Sequence, residues 1–411
     1  MNGRISAKSS VRLRREMVAG LEANGAIRSK PVRQAFLAVA REQFVPELAA
    51  RDGLAAIYRP EVALITATDD RGVAISSSSA PAIMAPMLEA LRLEPGQRVL
   101  EIGAGTGYNA ALVKHLVGPA GRVTTVDLET DFARRARRHL TAAGFAARVV
   151  AGDGRAGWAP EAPYDRIIVT ASTGQVYQPW LDQLVDGGLV EMPLGLAKGL
   201  SYQVVATFER QGEVLRSTTA MNGFFMPLRG TAEGDGKKGA YTEGGEASAS
   251  CFLSASAGGP GTPVLVSIEG PYLQQLSATG RRRTLATLLG PARTVARLTA
   301  RAGGLIGYLL LRGHGPVCCC VVDGHWGAAV LVENGLSIAT VTREVGGSGR
   351  IKCFGNESAL RLLQRYRDEW RRRGSPLPSD LHLAVNFGER SAGRSWRRLV
   401  LGNSAVTMDW L

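Results

Sequence analysis

The sequence predicts an α/β protein: a doubly wound, mostly parallel sheet with N-terminal helices before it and an additional C-terminal α+β domain after it. Three observations predict this. From Arg98 onward, short apolar runs alternate with amphipathic stretches, the pattern of strands exchanged with covering helices. The apolar run at 99–102 passes directly into a glycine turn at 103–107 and then into a helical stretch. The chain has 411 residues, more than one ordinary domain uses, and a Gly/Ala/Ser-rich segment at 231–261 interrupts it.

The elements follow in order. Val32, Ala35, Phe36 and Val39 recur at amphipathic spacing, which predicts a helical preface that Pro46 stops. Strands are expected at 99–103, 122–128, 148–151, 166–170 and 188–194, with helices at 110–117, 131–142 and 176–184 between them. Two further β-like runs, 202–208 and 214–221, predict a terminal hairpin. The resulting division is a first domain at 1–230, a linker or loop at 231–261 and a basic domain at 262–411. Within the last, strands are expected at 264–268, 305–311, 317–322, 328–332 and 381–387, and a charged helix at 357–373.

Composition bounds the class. Hydrophobic content of 45%, charged content of 21% and a mean hydropathy near zero describe a globular chain with a sizeable core. No stretch is long and apolar enough to span a bilayer, and residues 1–15 carry five basic side chains without an apolar run, so a cytoplasmic protein with no membrane partner is expected. The five cysteines are odd in number and predict free thiols. Cys318, Cys319 and Cys320 are consecutive in a strand-like run, so their side chains alternate between faces and do not converge on one ion; no metal is expected. The net charge is +13, and residues from Arg281 onward hold twenty Lys and Arg against nine Asp and Glu, an excess of eleven. An acidic partner is therefore expected at the C-terminal domain.

The glycine turn indicates a nucleoside-bearing cofactor. Gly103, Gly105 and Gly107 alternate with Ala104 and Thr106, a spacing different from the dinucleotide fingerprint, and no Lys is present for a triphosphate. Asp127, about twenty residues on, closes the second strand where a carboxylate accepts from both ribose hydroxyls. Leu128 follows it, and Asp153 and Gly154 end the third strand on the same edge. Glu101 lies in a buried strand, where an ionised carboxylate requires compensation by backbone amides or a cation. The sulfonium and ammonium of S-adenosyl-L-methionine would supply the cation, which favours that cofactor.

The chain resembles the protein-L-isoaspartate O-methyltransferase family over about residues 30–230. The resemblance is carried by Ala35-Phe36 through Phe44-Val45-Pro46, Ser79-Ala80-Pro81, the stretch from Val99 to Tyr108, Gly152-Asp153-Gly154, Tyr164-Asp165 through Thr170-Ala171, and Gly187-Gly188-Leu189 through Pro193-Leu194-Gly195. It implies a class I methyltransferase fold and S-adenosyl-L-methionine, released as S-adenosyl-L-homocysteine. Glu101, Gly103, Gly105, Thr106, Gly107, Tyr108, Asp127, Leu128, Asp153, Gly154 and Thr170 would hold it. Segments around Ser79 and Thr170-Ala171 would close over the sulfonium and the incoming carboxylate.

Two features depart from the usual family pattern. Ser76-Ser77-Ser78-Ser79-Ala80-Pro81-Ala82 replaces a Thr-Ile-Ser-x-Pro-His type stretch, and about 180 residues follow Gly230. Both, with the segment from Gly223 to Gly230, are similar to the subgroup encoded with ribosomally made peptides such as lanthipeptides, lasso peptides and graspetides. That similarity implies esterification of an aspartate side chain in an acidic peptide, linear or macrocyclic, followed by closure to a succinimide (aspartimide). An aspartate carboxylate is ionised at neutral pH and needs no general base, so positioning is the main requirement. Ser79, with Ser78 and Thr170, is the expected catalytic set, and Ser76, Ser77 and Ala171 complete the acceptor site. The alternative is a repair enzyme that esterifies isoaspartyl residues of damaged proteins. A binding module on a degenerate fold is disfavoured by the intact glycine turn, and a nucleic-acid methyltransferase by Thr170-Ala171-Ser172 where an Asn/Asp-Pro-Pro-Tyr type motif would stand.

Overall fold

The computed structural model describes residues 7–410, apart from 71, 73, 197–201, 231–250, 258–263, 271, 299–300, 313–314, 324, 345–347, 388–396 and 402–403. Among the described residues, ten strands form one sheet in the spatial order Arg397–Leu401, Ser404–Trp410, Leu381–Phe387, Val214–Gly223, Gln203–Gln211, Leu184–Leu194, Tyr164–Val169, Arg98–Ile102, Arg122–Asp127, Arg148–Ala151. The last five are mutually parallel, and the rest are antiparallel. The chain runs outward from Arg98–Ile102 through two strands and then returns to pair Tyr164–Val169 on its other side. That reversal opens a crevice at the carboxyl end of Arg98–Ile102.

The strands at 98–102, 122–127, 148–151, 164–169 and 184–194 lie where the alternation of apolar and amphipathic runs places them, as does the hairpin of Gln203–Gln211 and Val214–Gly223. Val32, Ala35, Phe36 and Val39 are buried, on or just beyond helix Lys30–Ala38. Pro46 does not end that helix: Val39 already caps it, and Pro46 opens the next one, Pro46–Asp52, where a missing N–H costs nothing. A separate two-stranded ribbon, Leu64–Thr68 with Ala74–Ser78, precedes helix Pro81–Ala90.

The boundary expected at 231–261 is not where the sheets divide. Residues 231–250 lie outside the described residues, and Cys251–Ala257 is a strand. A seven-stranded antiparallel sheet, among the described residues, covers only 251–355, and the chain then re-enters the first sheet through Leu381–Phe387, which pairs with Val214–Gly223. Leu381–Phe387, Arg397–Leu401 and Ser404–Trp410 therefore belong to the sheet of the first half. Alternation cannot announce which distant edge a strand will join.

The run at 305–311, expected as a strand, is part of helix Ala302–Leu311, and every residue of that run is buried. A short run that is apolar on all sides has no period with which to distinguish helix from strand. The helix lies against both halves: a Cβ at Gly304 would stand 2.6 Å from the Pro376 carbonyl, and one at Gly307 would stand 2.7 Å from the Tyr202 hydroxyl. Tyr202 also stacks on Trp326, with ring centroids 5.9 Å apart. One continuous apolar core thus contains Leu100, Val190 and Phe208 together with Leu309, Val330 and Val406. Cys319 faces this core, while Cys318 and Cys320 face a second one, as alternation requires.

Candidate active site

The crevice holds a cavity of about 320 Å³, within the size range of small-molecule sites. Val99, Leu100 and Ile102 are buried, and the chain leaves the strand through Gly103 (φ 102°) and Gly105 (φ 51°), conformations that a side chain rarely adopts. Helix Tyr108–Val117 begins directly after this turn. Asp127 ends the neighbouring strand and is oriented by two amides: Gly105 donates to Oδ2 at 2.9 Å and Glu129 donates to Oδ1 at 3.1 Å. Burial raises the Asp127 pKa, and these two amides work against the rise. Thr170 donates its hydroxyl to the carbonyls of Ile102 (3.0 Å) and Gly103 (2.8 Å), which ties the adjacent strand end to the start of the turn.

Opposite the turn stands the serine segment. Ser76 accepts from the Thr66 hydroxyl at 2.9 Å, and Ser76 and Ser78 are buried while Ser77 and Ser79 are half-buried. Behind them lies Arg41, fully buried, which donates to the carbonyls of Ile57 (3.2 Å), Ser78 (3.1 Å) and Ser79 (2.9 Å). Its guanidinium lies over the Tyr108 ring, 5.7 Å from the centroid. Burial lowers the Arg41 pKa to about 10, against the opposing pull of Tyr108 and Tyr58, so it stays charged at neutral pH. Arg41 clamps the ends of the ribbon and the helix preface to one point.

The cavity brings together most of the residues expected from the sequence: Ser76, Ser77, Ser78, Ser79, Gly103, Gly105, Thr106, Tyr108, Asp127, Leu128, Gly154, Thr170 and Ala171. Glu101, Gly107 and Asp153 do not line it. Glu101 is fully buried and accepts from Asn109 Nδ2 (2.8 Å) and the Thr125 hydroxyl (2.5 Å), two donors that offset part of the cost of its burial. Burial pushes its pKa to about 7 in spite of those donors. Gly107 faces helix Thr130–Ala142, where a Cβ would stand 3.2 Å from the Ala136 carbonyl; the third glycine serves helix packing. Asp153 pairs with Arg155 at 2.6 Å and accepts from its amide at 3.0 Å, which turns the carboxylate into its own loop.

Sequence reasoning missed Arg41, Phe132 and the ribbon residue Ile65. Arg41 sits three residues before Phe44 with no periodic signal of its own; only the packing of the ribbon against it discloses its role. Among the described residues, no group of three or more His, Cys, Asp and Glu is placed to hold a metal.

The site fits an S-adenosyl-L-methionine cofactor by its own construction: a side chain at Gly103 or Gly105 would be strained, one at Gly103 would also collide with the Thr170 hydroxyl, and Asp127 offers a carboxylate to a diol. Fold and site together define a class I, S-adenosyl-L-methionine-dependent methyltransferase. Residues 12–233 match the family described as Protein-L-isoaspartate(D-aspartate) O-methyltransferase (PCMT), just over half of the chain. The chain belongs to this family, whose members are carboxyl O-methyltransferases. It is 38% identical over 221 residues to a protein-L-isoaspartate O-methyltransferase of Ignicoccus hospitalis, covering 52% of this chain and 96% of that one. It is 44% identical over 186 residues to one of Methanopyrus kandleri, covering 45% and 77%. A solved structure titled protein-L-isoaspartate O-methyltransferase superposes on 91% of this chain and 96% of its own, with a TM-score of 0.50 and 24% identity, a likeness of fold that extends beyond the first half.

Proposed function

We propose that the chain methylates the free carboxylate of an isoaspartyl residue in a peptide or protein. The observation that supports it is one cavity lined by both the glycine turn with Asp127 and the serine segment 76–79. When bound, S-adenosyl-L-methionine supplies an electrophilic methyl group and is left as S-adenosyl-L-homocysteine. Asp127, fixed by two amides, would accept from the ribose hydroxyls. Thr170 would keep the strand ends and the turn in register. The Ser79 hydroxyl would orient the acceptor carboxylate, with Ser77 on the same side of the ribbon. Ser78 has a different part, since its carbonyl is held by Arg41 and its hydroxyl lies 3.5 Å from the same guanidinium. Neutral hydroxyls orient a carboxylate without a strong ion pair that would stabilise the ground state. No general base is required, because the acceptor is already ionised.

A second reading is an aspartate side chain in a dedicated ribosomally made peptide. The serine run, with Ala82 where the family pattern has His, favours it. Ester formation would then let the next backbone nitrogen attack the ester carbonyl and expel methanol, giving a succinimide. The basic surface after Arg281 would steer an acidic peptide of this kind. The additional domain does not favour this reading, because the fold likeness to the isoaspartate enzyme also covers it.

Matched isoaspartyl and aspartyl peptides, incubated with enzyme and S-adenosyl-L-methionine, separate the two by mass spectrometry of the ester. Esterification of the isoaspartyl peptide alone is expected. Esterification of only the aspartyl peptide would overturn the first reading in favour of the second, and esterification of neither would overturn both. Ser79→Ala should lower kcat about tenfold or more, the loss of a hydrogen bond to a charged group, with little change in cofactor affinity.

A further inference from the structure

Among the described residues, five large apolar side chains are exposed, Val11, Ile65, Phe224, Leu289 and Leu336, and two of them, Ile65 and Phe224, line the cavity. A solitary exposed apolar residue is ordinary on a protein surface; two from segments far apart in sequence at one cavity are not.

The backbone explains why they are there. Phe224 is 70% exposed, yet the chain beside it is tightly held. Phe225 donates its amide to Gln203 Oε1 at 2.7 Å, and Gln203 Nε2 donates to the Phe225 carbonyl at 2.9 Å. Ser172 donates to the Met226 carbonyl at 2.8 Å, and Leu228 donates to the Ser172 carbonyl at 2.7 Å. Phe225 is buried at 5% exposure. No slack loop presents Phe224; its neighbours are fixed and its ring is left in water. Ile65, 46% exposed, is the register partner of Ser77 on the two-stranded ribbon. Directly opposed residues of an antiparallel pair share a face, so the ribbon that brings the serines to the cavity brings Ile65 with them.

We propose that Ile65 and Phe224 form an apolar clamp for the residue flanking the acceptor aspartyl, so that the enzyme selects polypeptides with a large apolar side chain next to the modified position. This rests on the carboxyl methyltransferase reading above. A carboxylate seated among the serines carries its chain neighbours past the cavity mouth, each residue advancing about 3.3 Å when extended. An apolar neighbour removes its own surface and that of Ile65 and Phe224 from water together, whereas a polar one leaves both exposed.

The test uses three isoaspartyl peptides that differ only beside the isoaspartyl residue: Leu before it, Leu after it, or Ser on both sides. One Leu peptide is expected to exceed the Ser peptide in kcat/KM by about tenfold, the low end of discrimination by an apolar pocket, and mainly through KM. Phe224→Ser and Ile65→Ser should each move that ratio toward one, Phe224→Leu should keep most of it, and Leu289→Ser, an exposed apolar site away from the cavity, should leave it alone. Equal kcat/KM across the three peptides, or a ratio unchanged in both Ser variants, would overturn the clamp while the methyltransferase reading stands. Esterification of none of the peptides would take down that reading and the clamp with it.

Discussion

Replacing Glu101 by Gln should make the protein more stable, and by more at high pH than at low pH. Glu101 is fully buried in the central strand, and its two donors do not offset the cost of enclosing a charge, so its pKa stands at about 7 against an ordinary 4.5. Between those values the folded protein holds a proton that the unfolded chain has released. Stability from this group is therefore complete below about 4.5, falls as pH rises, and levels off above about 7. At 1.36 kcal/mol per pH unit the loss amounts to about 3 kcal/mol, an upper bound because a buried site relaxes around its charge. Gln keeps the shape, can accept from Asn109 and donate to the Thr125 hydroxyl, and does not titrate. Urea unfolding of the ligand-free wild type and Glu101→Gln at pH 5 and pH 8 isolates the effect, since every other group titrates equally in both. The stability gap, variant minus wild type, should widen by roughly 2 to 3 kcal/mol from pH 5 to pH 8. A gap that stays constant or narrows would refute the argument, and would mean that a cation or water compensates the carboxylate.

Asp127→Ala should weaken S-adenosyl-L-homocysteine binding by about 1.5–3 kcal/mol in calorimetry, the range for hydrogen bonds to a charged group, and unchanged affinity would remove it from the cofactor site. Gly103→Ala should impair both folding stability and cofactor binding, because a Cβ there collides with the Thr170 hydroxyl at a φ of 102°. Adding Thr170→Ala should restore part of the loss, leaving the backbone strain of about 1–2 kcal/mol; no recovery in the double variant would place the damage elsewhere. Ending the chain at residue 261 should yield insoluble or unfolded protein by circular dichroism and gel filtration, since it strips three strands from the first sheet and opens the edge of Val214–Gly223. A folded, cofactor-binding fragment would contradict the shared core.

What the sequence by itself determined is local or near in sequence: the glycine turn after a buried strand, Asp127 at the end of the next, the alternating faces of Cys318 to Cys320, and the hairpin before residue 223. Each follows from a period of two, from a residue type that only one backbone conformation suits, or from a spacing set by one strand and one helix. Tertiary structure decided the rest. Glu101 and Asp153 carry the charge a cofactor site wants, yet Asn109 and Thr125 satisfy the one and Arg155 the other, and no spacing shows which donor reaches them first. Arg41 acquires its place only when the ribbon and the helix preface meet around it. The run at 305–311 becomes a helix because it is enclosed on every side, and Leu381–Phe387 joins the first sheet because Val214–Gly223 offers an unpaired edge. Burial and edge pairing are properties of elements brought together from hundreds of residues apart, and the free energy that fixes them exists only once the elements meet.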